Sequence, residues 1–143
     1  MKVRQISIFL ENRSGRLAGV LRAVANSGVN IRALSLADTS DFGILRLIVD
    51  DVDRCVNGLR DTGHTVSLTE VLAVEIPDQP GGLAGVLEKL SAANLNVEYM
   101  YAFVCRATEK AMVVFRFEAI DEAIVALQKA GISIVPAEKV YTL

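Results

Sequence analysis

Two short loops carry the residues that are best suited to bind a small charged molecule. Each loop combines polar side chains with a glycine, and each precedes a stretch with helical spacing of apolar residues; the loop residues are Asn12, Arg13, Ser14, Gly15, Asp78, Gln79, Pro80 and Gly81. A glycine can adopt positive φ and lets a ligand approach the backbone, and the first N–H groups of the following helix favour a carboxylate. Asn12 and Asp78 can accept a hydrogen bond from an ammonium group. Because a free amino acid carries both charges, it is the ligand that this combination predicts.

The same loops have a second interpretation that needs no ligand. Ser14 or Asp78 would cap the following helix, and the glycine would form a tight turn. The loops also differ in charge, because Arg13 and Arg16 make the first one basic. These arginines either hold a ligand carboxylate or are solvated on the surface. The two loops are therefore not expected to form equivalent sites.

The two loops belong to an internal repeat. The sequence LAGVL at residues 17–21 recurs at residues 83–87, and later matches between the repeats are offset by two further residues. We place this insertion in a connection around residues 106–109. The repeat predicts two domains, residues 1–71 and 72–143, which pack against each other because units of this size bury little surface alone.

Within each repeat, the periodicity alternates between strand and helix. Apolar residues alternate with polar ones in the strands and recur at i, i+3, i+4 and i+7 in the helices. The order is strand, helix, strand, strand, helix, strand, which is the split βαβ or ferredoxin-like order. The predicted strands are residues 5–10, 30–36, 44–49, 65–68, 72–76, 96–104, 112–117 and 133–135, and the predicted helices are residues 17–25, 52–59, 83–90 and 120–127. Right-handed crossovers place both helices of a repeat on one face of an antiparallel sheet.

Gly19 and Gly85 occupy equivalent positions inside the first helix of each repeat. A glycine inside a helix costs about 1 kcal/mol relative to alanine. Its presence in both repeats predicts a close approach of a neighbouring backbone or of a ligand.

The pattern of strand, glycine loop, amphipathic helix and asparagine-led strand resembles the ACT domain. The second repeat is the closer match, with Asp78, Pro80, Gly81 and Leu83 in the loop pattern, whereas the first repeat has Asn12 at the acidic position. The resemblance covers nearly the whole chain as two tandem copies without an attached catalytic domain. It implies an α+β fold in which two ferredoxin-like units lie side by side and form one antiparallel sheet of about eight strands with four helices on one face.

ACT domains are small regulatory modules that commonly bind amino acids between two copies. The resemblance therefore implies that one amino acid lies at the interface of the two repeats, bridged by residues 12–15 and 78–81. Asn30 and Asn96 at the start of the next strand are further candidate ligand-binding residues, and Ile31 and Val97 would line the wall.

Tyr99 and Tyr101 replace small residues of the first repeat on one side of a strand. Tyr101, nearer the strand end, is a candidate for the wall of the ligand pocket. The alternative is core packing in which each hydroxyl group finds one hydrogen-bond partner.

An apolar outer sheet face supports a second functional hypothesis. Residues out of phase with the core positions are themselves apolar, namely Phe9, Ile44, Ile48, Met112 and Val114. Scattered apolar surface residues are common, but a contiguous apolar patch usually marks an interface, here either with another copy or between the two domains. The alternative is therefore a ligand-free regulatory subunit that docks an enzyme or a second copy through this face. A homodimer or a higher homo-oligomer is expected in either case.

Composition and charge argue against several other classes. The net charge of −2 and the isoelectric point near 5.4 do not suit a nucleic-acid partner. Charged residues interrupt every apolar run before it could span a bilayer, and the N-terminal residues form a strand pattern rather than a signal sequence. No membrane association is expected, and the cytoplasm is the expected location.

Nothing in the sequence predicts a catalytic or metal centre. The two cysteines, Cys55 and Cys105, lack the spacing of metal ligands, and Cys55 occupies a core-facing helical position. His64 is the single histidine and has no nucleophile or carboxylate at a suitable spacing. An acylphosphatase-like arrangement of Arg13 with Asn30 is a minor alternative. The expectation is a protein that is not an enzyme and needs no metal or cofactor.

Overall fold

A computed structural model gives the fold, and it describes residues 1–38, 40–103 and 110–143. The elements follow the order expected for two βαββαβ units, except that one strand serves both units and a short helix ends the described chain. They are β1 (Val3–Glu11), α1 (Arg16–Asn26), β2 (Ile31–Asp38), β3 (Phe42–Val49), α2 (Val52–Asp61), β4 (Val66–Ile76), α3 (Gly82–Ala92), β5 (Val97–Ala102), β6 (Ala111–Phe117), α4 (Ile120–Lys129) and α5 (Ala137–Tyr141). The predicted insertion around residues 106–109, together with Cys105, lies outside the described residues.

The strands form one antiparallel sheet in the order β2-β3-β1-β4-β6-β5. This confirms the predicted α+β fold, with six strands in the described chain instead of about eight. Two of the predicted strands, residues 65–68 and 72–76, are parts of the single strand β4, since no glycine or proline interrupts the chain between them. The last predicted strand, residues 133–135, pairs with β4 through an isolated bridge between Val74 and Ile134.

Strand β4 is shared by the two repeats. Its first half pairs with β1 of the first repeat, and its second half pairs with β6 of the second. The predicted domain boundary after residue 71 falls within this strand, and the division of the chain there stays a prediction. The continuous strand makes the two repeats parts of one sheet.

Four helices cover one face of this sheet, as predicted. Helices α1 and α2 enclose a cluster with β1 and β3 that includes Val24, Leu47 and Leu59, and α3 and α4 enclose a second cluster with β4 and β6. Cys55 is fully buried in the first cluster. The side chain of Asp51 accepts a hydrogen bond from the backbone N–H of Arg54 and caps α2, as the aspartates at its start suggest.

The sheet face that points away from these helices is the one described above as the outer sheet face. It is concave because the sheet curls, and we call it the inner face from here on. The edges approach each other at an isolated bridge between Ala33 in β2 and Phe103, which follows β5. Ile48, Met112 and Val114 are buried there in a third cluster. Helix α5 adds the buried Val140 to the same cluster.

The contact predicted to cover the apolar outer face is made within the chain for most of its members, which are therefore not free to dock a partner. Periodicity correctly placed Ile48, Met112 and Val114 away from the helices, but the curl of the sheet and helix α5 cover them within the chain. Phe9 remains 54% exposed and Ile44 is half-buried. This end of the inner face is open to another molecule.

Candidate functional site

Both predicted loops begin their helices with a glycine in the left-handed region. Gly15 precedes α1 with φ 87°, and Gly81 precedes α3 with φ 83°. Other residues are strained at this φ, so the prediction of positive φ is confirmed. The N-cap residue of each helix is this glycine itself, which has no side chain to cap the helix.

The glycines next to these loops differ in their surroundings. A Cβ atom on Gly82 would overlap the carbonyl oxygen of Pro77, so the chain approaches itself closely where α3 begins. In contrast, a Cβ atom on Gly19 or Gly85 would meet no atom within 4 Å. The close approach of a neighbouring backbone that we expected at Gly19 and Gly85 is absent from the described chain. Their open surroundings leave room for a group from outside.

The loop of the second repeat borders a cavity of about 320 Å³. The cavity lies between the start of α3, the end of β4 and the segment at residues 131–133, and it includes Gln79, Gly81 and Gly85. Pockets for small molecules usually start at about 300 Å³, so this cavity suits a small ligand.

Charges of both signs line this second-repeat cavity. The carboxylate of Glu75 is only 16% exposed, and the Nζ of Lys110 lies 4.0 Å from it, at the limit of an ion pair. Lys89 on α3 lines the same cavity. The cavity thus offers a carboxylate for an ammonium group, and lysines with the N-terminus of a helix for a carboxylate.

The first repeat has an equivalent cavity of about 250 Å³, lined among others by Glu11, Arg16 and His64. Its charges are already paired, because the carboxylate of Glu11 accepts a hydrogen bond from Arg13 at 3.1 Å and lies 3.8 Å from Arg16. Asn12 is tied to the turn before β3, since its backbone N–H donates to the carbonyl of Asp41 at 2.8 Å. The arginines proposed for a ligand carboxylate therefore have an internal partner.

The structure places the predicted asparagines away from the loop of their own repeat. Along β3, Phe42 lies beside Glu11 at the start of the loop, whereas Val49 lies beside Ile31. Phe42 and Val49 are roughly 23 Å apart along β3, so the start of β2 with Asn30 lies far from the loop. Asn30 instead donates its backbone N–H to the carboxylate of Asp50 at 2.8 Å.

The second repeat has the same arrangement. Ala111 lies beside Ile76 near the loop, and Phe117 lies beside Val97 at the other end of β6. Asn96 and Val97 are thus about 20 Å along the strand from the loop of their repeat. The structure does not bring these predicted wall residues to the loops.

The two loops also lie at opposite ends of the sheet. Strands β1 and β4 are antiparallel, with Ile8 beside Val66, so the chain leaves them in opposite directions. The second loop begins at Pro77, which places the loops more than about 35 Å apart along the sheet. A single amino acid cannot bridge both loops of one chain, and this part of the prediction is corrected. Each loop forms its own cavity.

Tyr99 and Tyr101 belong to a polar cluster on the inner face. The amide of Gln5, which is fully buried, donates to Ser7 at 3.1 Å and to the hydroxyl of Tyr99 at 2.8 Å. The hydroxyl of Tyr101 donates to the Gln5 Oε1 at 2.7 Å. The guanidinium of Arg46 lies 3.8 Å from the ring centroid of Tyr99. Burial raises the pKa of the Tyr101 phenol, which stays protonated. Each hydroxyl has the single partner that core packing requires.

Gln5, Ser7 and Arg46 were not among the predicted functional residues. In the sequence they are recognisable only as polar residues that alternate with core residues in two central strands. That pattern normally indicates a solvated face. The curl of the sheet, which local periodicity does not contain, buries them.

Within the described residues, no group of histidine, cysteine and carboxylate side chains has the arrangement of a metal site. Burial raises the pKa of the Cys55 thiol to about 11, and the nearby Asp50 and Asp51 add to the effect. The helices of the described chain are all too short or too polar to cross a membrane.

The fold and the loop geometry together define a paired ferredoxin-like module in which a glycine loop leads into the first helix of each unit. The family model of the ACT domain pair matches residues 1–143. The chain belongs to this family. No curated protein matches it closely enough to count as a relative.

Solved structures share the architecture. The protein BT0572 from Bacteroides thetaiotaomicron is 40% identical, with a TM-score of 0.92 over 100% of this chain and 98% of that chain. The ligand-free regulatory subunit of aspartate kinase from Thermus thermophilus is 17% identical, with a TM-score of 0.63 over 89% of this chain and 91% of that chain. The corresponding subunit from Thermus flavus is 16% identical, with a TM-score of 0.60 over 90% and 92%. The two Thermus proteins show a shared fold alone.

Proposed function

We propose that this protein is a small-molecule-sensing regulatory module that binds a free amino acid in the cavity of its second repeat. The observation that carries the proposal is the largely buried carboxylate of Glu75 in a cavity that also holds Lys89, Lys110 and the start of α3. Membership of the ACT domain pair family supports a regulatory role.

The two charged groups of an amino acid find complementary partners in this cavity. Its ammonium group would donate to Glu75, replacing the long contact of that carboxylate with Lys110. Its carboxylate would lie at the N-terminus of α3 near Gly81, where backbone dipoles and the lysines favour negative charge. Val86 and Ile132 provide an apolar wall for the side chain. The second repeat is preferred because Glu11, the acidic residue of the first cavity, already contacts Arg13 and Arg16.

The proposed role is binding, not catalysis. Cys55 is buried with a raised pKa, and His64 contacts the hydroxyl of Thr62 at 2.9 Å. Neither group lies in the second-repeat cavity. Binding would act by shifting the population of states that differ in the position of α3 and its loop.

We also propose that the protein is located in the cytoplasm and that it acts by associating with other protein molecules. We expect a homodimer or a higher homo-oligomer, with an enzyme as a further candidate partner. Exposed apolar side chains on the edge strands, Leu34, Leu36 and Met100, suit such contacts. Light scattering of the purified protein measures the assembly, and a strictly monomeric species at high concentration contradicts it.

Calorimetry and thermal shift with each of the free amino acids test the ligand. Ligand-free protein should bind at least one of them, with a rise in unfolding temperature that grows with ligand concentration. A protein that responds to none of them at millimolar concentration contradicts the proposal.

The substitution Glu75→Gln tests the assigned cavity. Glutamine removes the charged partner of the ammonium group. The affinity for the amino acid should therefore fall by about tenfold to a hundredfold, because a hydrogen bond to a charged group contributes about 1.5–3 kcal/mol. The matched control is Glu11→Gln in the first repeat, which should leave the affinity unchanged. Equal losses in the two variants would exclude the second-repeat cavity as the site.

A further inference from the structure

The polar cluster of the inner face leaves some of its donor hydrogens without an acceptor. Gln5 satisfies both ends of its amide within the cluster, using Ser7, Tyr99 and Tyr101. In this arrangement the hydroxyl hydrogens of Ser7 and Tyr99 have no acceptor among the described residues. Exchanging the oxygen and nitrogen of the Gln5 amide changes which hydrogens are spare, but hydrogens without an acceptor remain.

Arg46 adds a positive charge beside these spare hydrogens. Its side chain is half-buried, and its guanidinium lies over the ring of Tyr99 at 3.8 Å. No carboxylate of the described chain forms an ion pair with it. A half-buried guanidinium without a carboxylate or a carbonyl acceptor keeps several N–H groups available for an anion.

An apolar cavity of about 240 Å³ lies beside this donor-rich cluster. Ile44 and Arg46 are two residues apart on β3, so their side chains project from the same face. The partners of these residues on β1 are Phe9 and Ser7. Phe9 and Ile44 line the cavity, and Asp38 is also part of its lining. Positive charge and apolar surface are thus adjacent on the open end of the inner face.

We propose that this end of the inner face is a second ligand site, in which Arg46 binds the carboxylate of a small organic acid and the apolar body of the acid lies against Phe9 and Ile44. Ser7 and Tyr99 donate to the same carboxylate with their spare hydroxyl hydrogens. The site is separate from the second-repeat cavity and does not depend on it. A carboxylate fits better than a bare inorganic anion because the adjacent cavity is lined mainly by apolar side chains.

Sodium hexanoate is the probe for this site, and hexan-1-ol is its uncharged counterpart. By calorimetry, the wild-type protein should bind hexanoate about tenfold to a hundredfold more tightly than hexan-1-ol. Arg46→Gln should reduce hexanoate affinity by a similar factor and leave hexan-1-ol unchanged. Nuclear magnetic resonance should show the largest shifts at Phe9, Ile44 and Tyr99.

A second pair of variants keeps the test independent of the stability of Arg46→Gln. Phe9→Asp places a negative charge at the mouth of the cavity on a side chain that is 54% exposed, so the fold should persist while hexanoate binding is lost. Leu68→Asp is the matched control at another exposed apolar position and should bind normally. Equal affinities for hexanoate and hexan-1-ol, or full affinity in Arg46→Gln, overturn the proposal. Loss of hexanoate binding in Gly85→Ala would place the acid in the second-repeat cavity and overturn it as well.

Discussion

A largely buried carboxylate beside the start of a helix distinguishes the second repeat from the first. Among the described residues, the carboxylate of Glu75 has one distant lysine partner, whereas that of Glu11 at the end of β1 is engaged by Arg13 and Arg16. A buried charge is costly unless it is paired. A ligand ammonium group would stabilise Glu75 more than it would stabilise Glu11, so single residues decide which of two similar loops is the better site.

The substitution Gly85→Ala tests the effect of this glycine on helix stability separately from its effect on ligand binding. A Cβ atom at this position meets nothing within 4 Å, so alanine should raise the free energy of unfolding by about 0.5–1 kcal/mol through higher helix propensity. The added methyl group also enters the second-repeat cavity, and amino acid affinity should fall. Gly19→Ala in the first repeat should give the same stabilisation and leave the affinity unchanged. Denaturant unfolding and calorimetry measure the two effects, and a destabilised Gly85→Ala protein would contradict the open geometry.

The buried thiol of Cys55 makes stability depend on pH in the alkaline range. Its pKa is raised to about 11 in the folded chain, compared with about 8.5 when unfolded. The contribution of the protonated thiol is fully present below the unfolded pKa and is lost as the pH rises towards 11, because only the unfolded chain releases the proton in that window. Urea unfolding at several pH values should show this decline. Cys55→Ala should make the decline less steep between about pH 9 and 11, where the buried Tyr101 phenol still contributes, and parallel curves for the two proteins would show that the thiol has no role.

Among the elements, helix α5 depends most on tertiary contacts. It has only five residues, and isolated helices of that length are unstable in water. Val140 is fully buried against the inner face, and the hydroxyl of Tyr141 accepts a hydrogen bond from the backbone N–H of Arg4 at 2.9 Å. The helix thus closes one end of the inner face and joins the C-terminal segment to β1.

Val140→Ala tests this closing role. Loss of two buried methyl groups should lower the free energy of unfolding by about 2 kcal/mol, from the transfer of the groups and from the cavity left behind. Val125→Ala on α4 is the control, because Val125 is 49% exposed and its replacement should change stability by less than about 0.5 kcal/mol. Thermal or denaturant unfolding distinguishes them, and equal effects would mean that α5 contributes nothing to the core.

At the scale of the whole molecule, β4 and the Gln5 cluster connect the repeats. Each half of β4 belongs to a different repeat, and Gln5 of the first repeat bonds to Tyr99 and Tyr101 of the second. Neither repeat can lose its sheet without disrupting the other. We therefore expect the two repeats to unfold as one cooperative unit.

Native-state hydrogen exchange measures this cooperativity. The amides of Leu47 in the first repeat and Phe115 in the second should exchange with the same free energy, equal to that of global unfolding. Exchange of one repeat at a markedly lower free energy would contradict a single unit. Tyr99→Phe with Tyr101→Phe removes the cluster hydroxyls and should lower both exchange energies together.

Local patterns in the sequence determined the elements of this protein. The repeated helix and the alternating strands led to an α+β fold with four helices on one face, and a glycine directly before each helix indicated the positive φ of Gly15 and Gly81. These features follow from interactions between residues that are close in the chain, which a local pattern records.

Only the tertiary structure decided which elements meet. The fusion of two predicted strands into β4, the curl that buries Gln5 and covers Ile48, and the separation of the two glycine loops all depend on strand register and sheet curvature. Register and curvature are set by contacts between residues that are far apart in the sequence, and local periodicity contains no information about such contacts. Local chemistry therefore identified the loops as candidate sites, whereas the antiparallel pairing of β1 with β4 decided that one ligand cannot join them.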